Sequence, residues 1–210
     1  MDLGNLIVQF YKTPEQQALA KFIIDKAAEC SSIVEFGTKG GVLALACFQG
    51  LILTKHKWNP RYNGLDLAED ESILTLRKLA DTIGISFHFS RQPSKNYPIH
   101  ETDMFVWDTF HCAGNLLMDL MRMGPHVRKY ILIKGAKTNG EKSEAVNRNL
   151  DVERVAAELE IDRKGAELGL KDAVQNFLAR NTNWDAVLVD DFFLLTRKGG
   201  FKSKVFGNRD

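Results

Sequence analysis

The sequence predicts an α/β fold: a doubly wound, mostly parallel sheet of seven strands, helices on both faces, and a C-terminal antiparallel hairpin. Three observations lead there. Residues 33–36 run into the glycines Gly37, Gly40 and Gly41 and then into an unbroken apolar run, 42–48, which reads as strand, tight turn and helix. Apolar runs of strand length then alternate with segments of helical periodicity. Near the end, residues 184–189 and 192–197 are separated only by Asp190 and Asp191, the spacing of a hairpin.

With 210 residues and 44% hydrophobic content, the chain can bury one substantial core, so a single domain over 1–210 is expected. Within it, residues 1–30 form an N-terminal arm and helix, and 136–169 form an insert. A formal charge of +1 provides no broad basic field for duplex nucleic acid. No apolar run approaches a membrane span and no basic-then-apolar leader is evident. The cysteines Cys30, Cys47 and Cys112 lie in apolar contexts without pairing motifs, as buried thiols do in a reducing compartment. The expectation is a soluble, cytoplasmic protein, with which a homo-oligomer is compatible.

Taken in order, Thr13, Pro14 and Gln16 form a capping box with proline at the first helical position. Leu19, Phe22, Ile23 and Ala27 continue that helix to about Cys30. The glycine turn at 37–41 suits a backbone that reverses over a strand end and lets a ligand approach its amides. Glu35, in the strand before it, is a carboxylate able to accept from a hydroxyl or an ammonium group. A second strand, 62–67, carries Asp66, and a right-handed crossover would set its end beside that of the first. There Asp66 suits the two hydroxyls of an adenosine ribose; it also reads as a cap of the next helix.

Residues 69–83 keep an apolar face and stop at Gly84, a C-terminal cap. Residues 85–90 alternate as a third strand, with His88 an ordinary strand side chain. Residues 103–108 form a buried fourth strand ending in Asp108. Asp108 and His111 stand just past it, where open α/β sheets place their chemistry, and either suits a general base. Asp108 as a helix cap and His111 bonded to a carbonyl is the other option. His111 has the better ionisation range near neutral pH. A helix at 113–123 ends at Gly124-Pro125, with its methionines as core filler. The fifth strand is 129–134. The insert, 136–169, is charge-rich with a short helix near 151–160, and is a candidate lid, acceptor wall or oligomer contact. A helix at 170–180 precedes the hairpin, whose Asp190 and Asp191 read as a turn and nothing more.

Together, Glu35-Phe36-Gly37-Thr38-Lys39-Gly40-Gly41, Asp66, the Asp108-to-His111 stretch and the final hairpin resemble a class I S-adenosylmethionine-dependent methyltransferase, over residues 13–198. The resemblance is to the branch containing small-molecule and sugar O-methyltransferases and cephalosporin-hydroxylase-like enzymes. It implies a Rossmann-like fold and S-adenosyl-L-methionine as cofactor, with S-adenosyl-L-homocysteine as product. Glu35 would lie near the methionine part, Gly37, Thr38, Lys39, Gly40, Gly41 and Leu67 would line the cofactor, Asp66 would hold the ribose hydroxyls, and Ser90 to Gln92 would lie near the adenine. Where metal-dependent relatives carry a His-Asp pair after the fifth strand, this chain has Lys134 and Gly135, and Phe110 replaces a second acid. Asp108 and His111 alone are a poor set for a divalent ion, so no catalytic metal is expected. Lys134 either offers a fixed charge to an acceptor oxygen or caps its strand.

The function expected is O-methyl transfer to a hydroxyl of a sugar or glycosylated small molecule, with Asp108 or His111 taking the proton. Two other classes compete. A nicotinamide-dependent oxidoreductase is disfavoured because the turn lacks the Gly-x-Gly-x-x-Gly spacing. A non-catalytic S-adenosylmethionine-binding module is compatible with the Lys134-Gly135 departure.

Overall fold

The computed structural model describes residues 13–38, 40–53 and 59–199. The N-terminal arm before Thr13, Lys39 and the C-terminal tail from residue 200 lie outside the described residues.

Helix α1 (Pro14–Ala27) starts with the expected capping box: Thr13 Oγ1 accepts from the Gln16 amide, and Gln16 Oε1 accepts from the Thr13 amide. It stops short of Cys30, because the Glu29 and Cys30 amides turn back to the Lys26 and Ala27 carbonyls. Then come β1 (Ser32–Phe36), α2 (Val42–Leu53), β2 (Arg61–Asp66), α3 (Glu71–Ile83) and β3 (Ser86–Arg91). Gly84 caps α3 with φ 75°, a left-handed conformation that glycine adopts without strain. After β4 (Thr102–Trp107), α4 (Ala113–Met123) and β5 (Val127–Lys134), the insert folds into α5 (Glu144–Asn147), α6 (Val152–Leu159) and α7 (Arg163–Glu167). The chain closes with α8 (Leu170–Arg180), β6 (Trp184–Val189) and β7 (Phe192–Arg197).

The seven strands form one sheet in the order β3-β2-β1-β4-β5-β7-β6, parallel except for β7, which is antiparallel to β5 and β6. This is the doubly wound sheet with a terminal hairpin that the sequence predicts. β1 and β4 carry buried residues on both faces, as strands covered by helices on both sides must. One core lies under α1, α2 and α3 and includes Ile33, Phe48 and Tyr62; the other lies under α4 and α8 and includes Val34, Phe36, Trp107 and Phe177. The chain order reverses between β1 and β4, so a crevice opens beyond their carboxyl ends, and the site occupies it.

The insert holds more structure than the single short helix expected. Its three helices bury Ala145, Val155, Ala156 and Ala166 in a small core of their own, against which Phe110 packs. Its two ends are sewn together: Leu170 donates to the Asn139 carbonyl (2.9 Å), Lys171 to that of Gly140 (3.0 Å), and Lys142 bridges Leu168. Among the described residues, no helix is long and apolar enough to cross a membrane.

Candidate active site

The glycine turn is shaped from behind by its neighbours. Gly37 has φ 89°, and a Cβ there would lie 2.0 Å from the Asp108 carbonyl oxygen. Only glycine lets the end of β1 pass so close to the end of β4. The Asp108 amide donates to the Phe36 carbonyl (2.8 Å), tying the two ends together. Thr38 turns inward: its buried hydroxyl accepts from the Leu65 amide (3.0 Å) in the space that Gly64 leaves open. Gly40 and Gly41, with φ of 82° and 68°, carry the chain into α2. The Gly40 amide also helps hold the Asp70 carboxylate below its ordinary range, chiefly with the Ser72 hydroxyl. Thr38, Gly40 and Gly41 thus build the turn, whereas Gly37 reaches the cleft.

That cleft, of about 230 Å³, runs along the β2 and β4 ends. Asp66, Leu67 and Gln92 line one side and Asp108, Thr109 and Phe110 the other, with Leu159 of the insert above. Asp66 Oδ1 accepts from the Leu67 amide (2.7 Å), which orients the carboxylate at its strand end. Glu35 does not line this cleft. Strand alternation sends its side chain, 2% exposed, toward the α2 core, where the Tyr62 hydroxyl donates to Oε2 (2.5 Å). Burial there pushes its ionisation up to about 8, even against that hydrogen bond.

A second, wider cavity of about 700 Å³ adjoins the cleft and shares Asp108, Thr109 and Phe110 with it. The remainder of its wall carries the side chains of His111, Lys134, Thr138, Asn139, Glu144, Arg148 and Asp191. Lys134 Nζ donates to Asp108 Oδ2 (2.8 Å), and His111 Nε2 stands 3.4 Å from Asp108 Oδ1, within ion-pair range but not aligned as a hydrogen bond. Burial alone would raise the Asp108 carboxyl, but His111 and Lys134 outweigh it and hold the group below the usual carboxylate range. Burial would likewise lower His111, yet Asp108 and Glu144 beside it raise its ionisation above that of a free imidazole. The ring lies over Gly135, where a Cβ would come within 2.4 Å of Cδ2, and meets the Trp107 ring edge-on at 5.6 Å. His111 Nε2 is therefore enclosed, while Asp108 reaches both cavities.

Sequence reasoning missed Glu144, Arg148 and Asp191. Glu144 Oε2 accepts from the His111 amide and lies 3.2 Å from Nδ1, and Arg148 Nη1 donates to Glu144 Oε1 (2.6 Å). Asp191 is more than the turn residue expected: its carbonyl accepts from the Gly135 and Ala136 amides, and its carboxylate accepts from the Lys137 amide (2.8 Å). It thereby pins the start of the insert to the hairpin. Phe110, noted only as a missing acid, is the apolar anchor of the insert. Glu144 sits in the charge-rich insert and Asp191 in a two-residue turn, and neither setting shows which strand end its carboxylate reaches.

Among the described residues, no group of three or more His, Cys, Asp or Glu side chains is arranged to hold a metal ion. The cleft's chemistry fits an adenosine ligand: a carboxylate at the β2 end, apolar walls from Leu67 and Phe110, and no Lys or Arg among its described lining to neutralise a pyrophosphate.

No protein-family model and no curated protein matches the chain. Solved structures do share its fold. An O-methyltransferase from Bacillus cereus in complex with S-adenosylhomocysteine is 14% identical, covers 93% of this chain and 90% of its own, and superposes with a TM-score of 0.57. An S-adenosylhomocysteine-bound methyltransferase from Podospora anserina is 16% identical, with coverage of 91% and 87% and a TM-score of 0.53. The O-methyltransferase TomG from Streptomyces achromogenes, involved in tomaymycin synthesis and bound to S-adenosylmethionine, is 15% identical, with coverage of 93% and 88% and a TM-score of 0.53. The chain has the Rossmann-like fold of the class I S-adenosylmethionine-dependent methyltransferases.

Proposed function

We propose that this protein is an S-adenosyl-L-methionine-dependent O-methyltransferase that acts on a hydroxyl of a sugar, glycan or glycosylated small molecule. The observation that carries this is Asp108, a carboxylate standing on the wall shared by the adenosine-sized cleft and the polar cavity. Bound S-adenosyl-L-methionine supplies an electrophilic sulfonium methyl group. Asp66 receives the ribose hydroxyls, with Leu67 and Gln92 against the nucleoside. An acceptor hydroxyl in the wider cavity donates its hydrogen bond to Asp108, which takes the proton as the oxygen–methyl bond replaces the methyl–sulfur bond and S-adenosyl-L-homocysteine is left as product. Lys134 and His111 hold that carboxylate ionised and in place, and Lys134 offers a positive charge to the acceptor oxygen.

His111 serves as the charged partner of Asp108 in this scheme, because its ring nitrogens are turned to two carboxylates and not to open space. A cavity wall of Thr138, Asn139 and Asp191 suits a hydroxyl-rich acceptor better than a flat apolar one. Holding both reactants across one carboxylate supplies the proximity on which such a displacement depends.

The test is methyl transfer from labelled S-adenosyl-L-methionine to a panel of sugars and glycosylated small molecules, with thermal shift by S-adenosylhomocysteine and by NAD. S-adenosylhomocysteine should raise the melting midpoint and NAD should not. Asp66→Ala should lose that shift, and Asp108→Asn should keep it while losing transfer. A midpoint raised by NAD alone would overturn the assignment.

A further inference from the structure

Glu144 meets His111 at three points. Its Oε2 accepts from the His111 backbone amide (3.2 Å) and stands 3.2 Å from ring Nδ1, and its own amide donates to the His111 carbonyl (2.7 Å). The partners are 33 positions apart, one on the β4–α4 loop and the other at the start of the insert's first helix. Two carboxylates thus address the two nitrogens of one ring: Glu144 at Nδ1 and Asp108 at Nε2. Gly135 leaves the ring its seat, and the Trp107 ring packs perpendicular to it at 5.6 Å.

We propose that Glu144 is a positioning residue for the transfer: it keeps a proton on His111 Nδ1 and so aims Nε2 at Asp108. This rests on the proposed role of Asp108 as the group that meets the acceptor. Its consequence is that docking of the insert completes the site, because the carboxylate that sets His111 belongs to the insert and the histidine to the sheet edge. A glutamate that merely held the insert down would need only the two backbone contacts. The ring contact serves the chemistry.

The charged and titratable groups around His111 are Asp108 beyond β4, Lys134 of β5, Glu144 and Arg148 of the insert, and Cys112 next in the chain. Removing the Glu144 charge takes away one of the two carboxylates that favour the imidazolium, so His111 should lose its proton at lower pH.

The test is Glu144→Gln, with Glu144→Asp beside it. Histidine 15N resonances should show His111 of the unaltered protein protonated at Nδ1 throughout and titrating above a free imidazole, and in Glu144→Gln titrating about one pH unit lower. In the transfer assay the alkaline limb of kcat should move down with it, with roughly tenfold lower kcat on that limb and an unchanged KM for S-adenosyl-L-methionine. Glu144→Asp should restore part of both effects. An unmoved His111 titration in a folded Glu144→Gln protein would overturn the proposal, whatever its melting midpoint. Because the resonances need no acceptor, that failure is separate from failure of the proposed function, which full transfer by Asp108→Asn would show.

Discussion

Replacing Glu35 by glutamine removes a carboxyl that is 2% exposed while keeping an oxygen for the Tyr62 hydroxyl. In the folded protein burial pushes this group from the ordinary 4.5 up to about 8, so the folded state binds its proton more tightly than the unfolded chain does. Stability from that proton is fully present below 4.5 and is lost as the pH rises through 8. Each pH unit within the window is worth about 1.36 kcal/mol, with the slope flattening toward pH 8, so between pH 5 and pH 8 the unaltered protein loses roughly 3.5 kcal/mol from this group alone. Glu35→Gln has no such proton and escapes that loss. Its amide nitrogen must find a partner in the core, an offset of about 1–3 kcal/mol that does not vary with pH. Thermal melts of both proteins across this range should therefore show the variant gaining on the unaltered protein by roughly 10 °C between the two ends, using about 2–4 °C per kcal/mol for a domain of this size. Subtracting the two curves cancels every other titrating group. Parallel curves would refute the reasoning, since they would mean that Glu35 ionises in the fold as it does in water.

Three other perturbations test the site and its supports. Lys134→Met should change stability by under about 1 kcal/mol, because the lysine is half-exposed and such pairs are weak. It should also move the acid limb of kcat to higher pH, since Asp108 loses one of the charges that hold it low; an unmoved limb in a folded variant would break the link between the two. In Gly135→Ala, the residue at φ 88° pays about 1–2 kcal/mol of left-handed strain, and its Cβ crowds the His111 ring. Transfer should drop at least roughly tenfold with binding of S-adenosylhomocysteine by calorimetry unchanged. Phe110→Ala should loosen the insert by about 2 kcal/mol, and limited proteolysis should then cut within residues 136–169 before the sheet. Cleavage at the unaltered rate would show that Phe110 does not anchor it.

Much of this molecule was legible residue by residue. Helices α4 and α8 and the hairpin strands β6 and β7 fall where periodicity put them, because burial on one or two faces imposes a pattern that any short window of sequence displays. Asp66 and Asp108 stand at the carboxyl edge of the sheet as their strand-end positions imply, because a parallel sheet collects its strand ends at one edge. The glycine turn was legible too, since left-handed backbone at Gly37, Gly40 and Gly41 favours glycine. Other features waited for the tertiary structure. Glu35 looked like a ligand group by its nearness to the turn, but strand alternation sends it to the Tyr62 side of the sheet, and only packing shows how deeply it is buried there. Glu144 meets His111 across 33 positions of sequence, and Asp191 holds Lys137 at the start of the insert across 54. A local pattern can mark an insert or a turn, but where its side chains reach is decided by how the loops close. The sequence by itself thus determined the sheet, the turn and the strand-end acids. Only the tertiary structure decided which groups surround Asp108 and in what state they hold it, because charge interactions depend on distance through space and not along the chain.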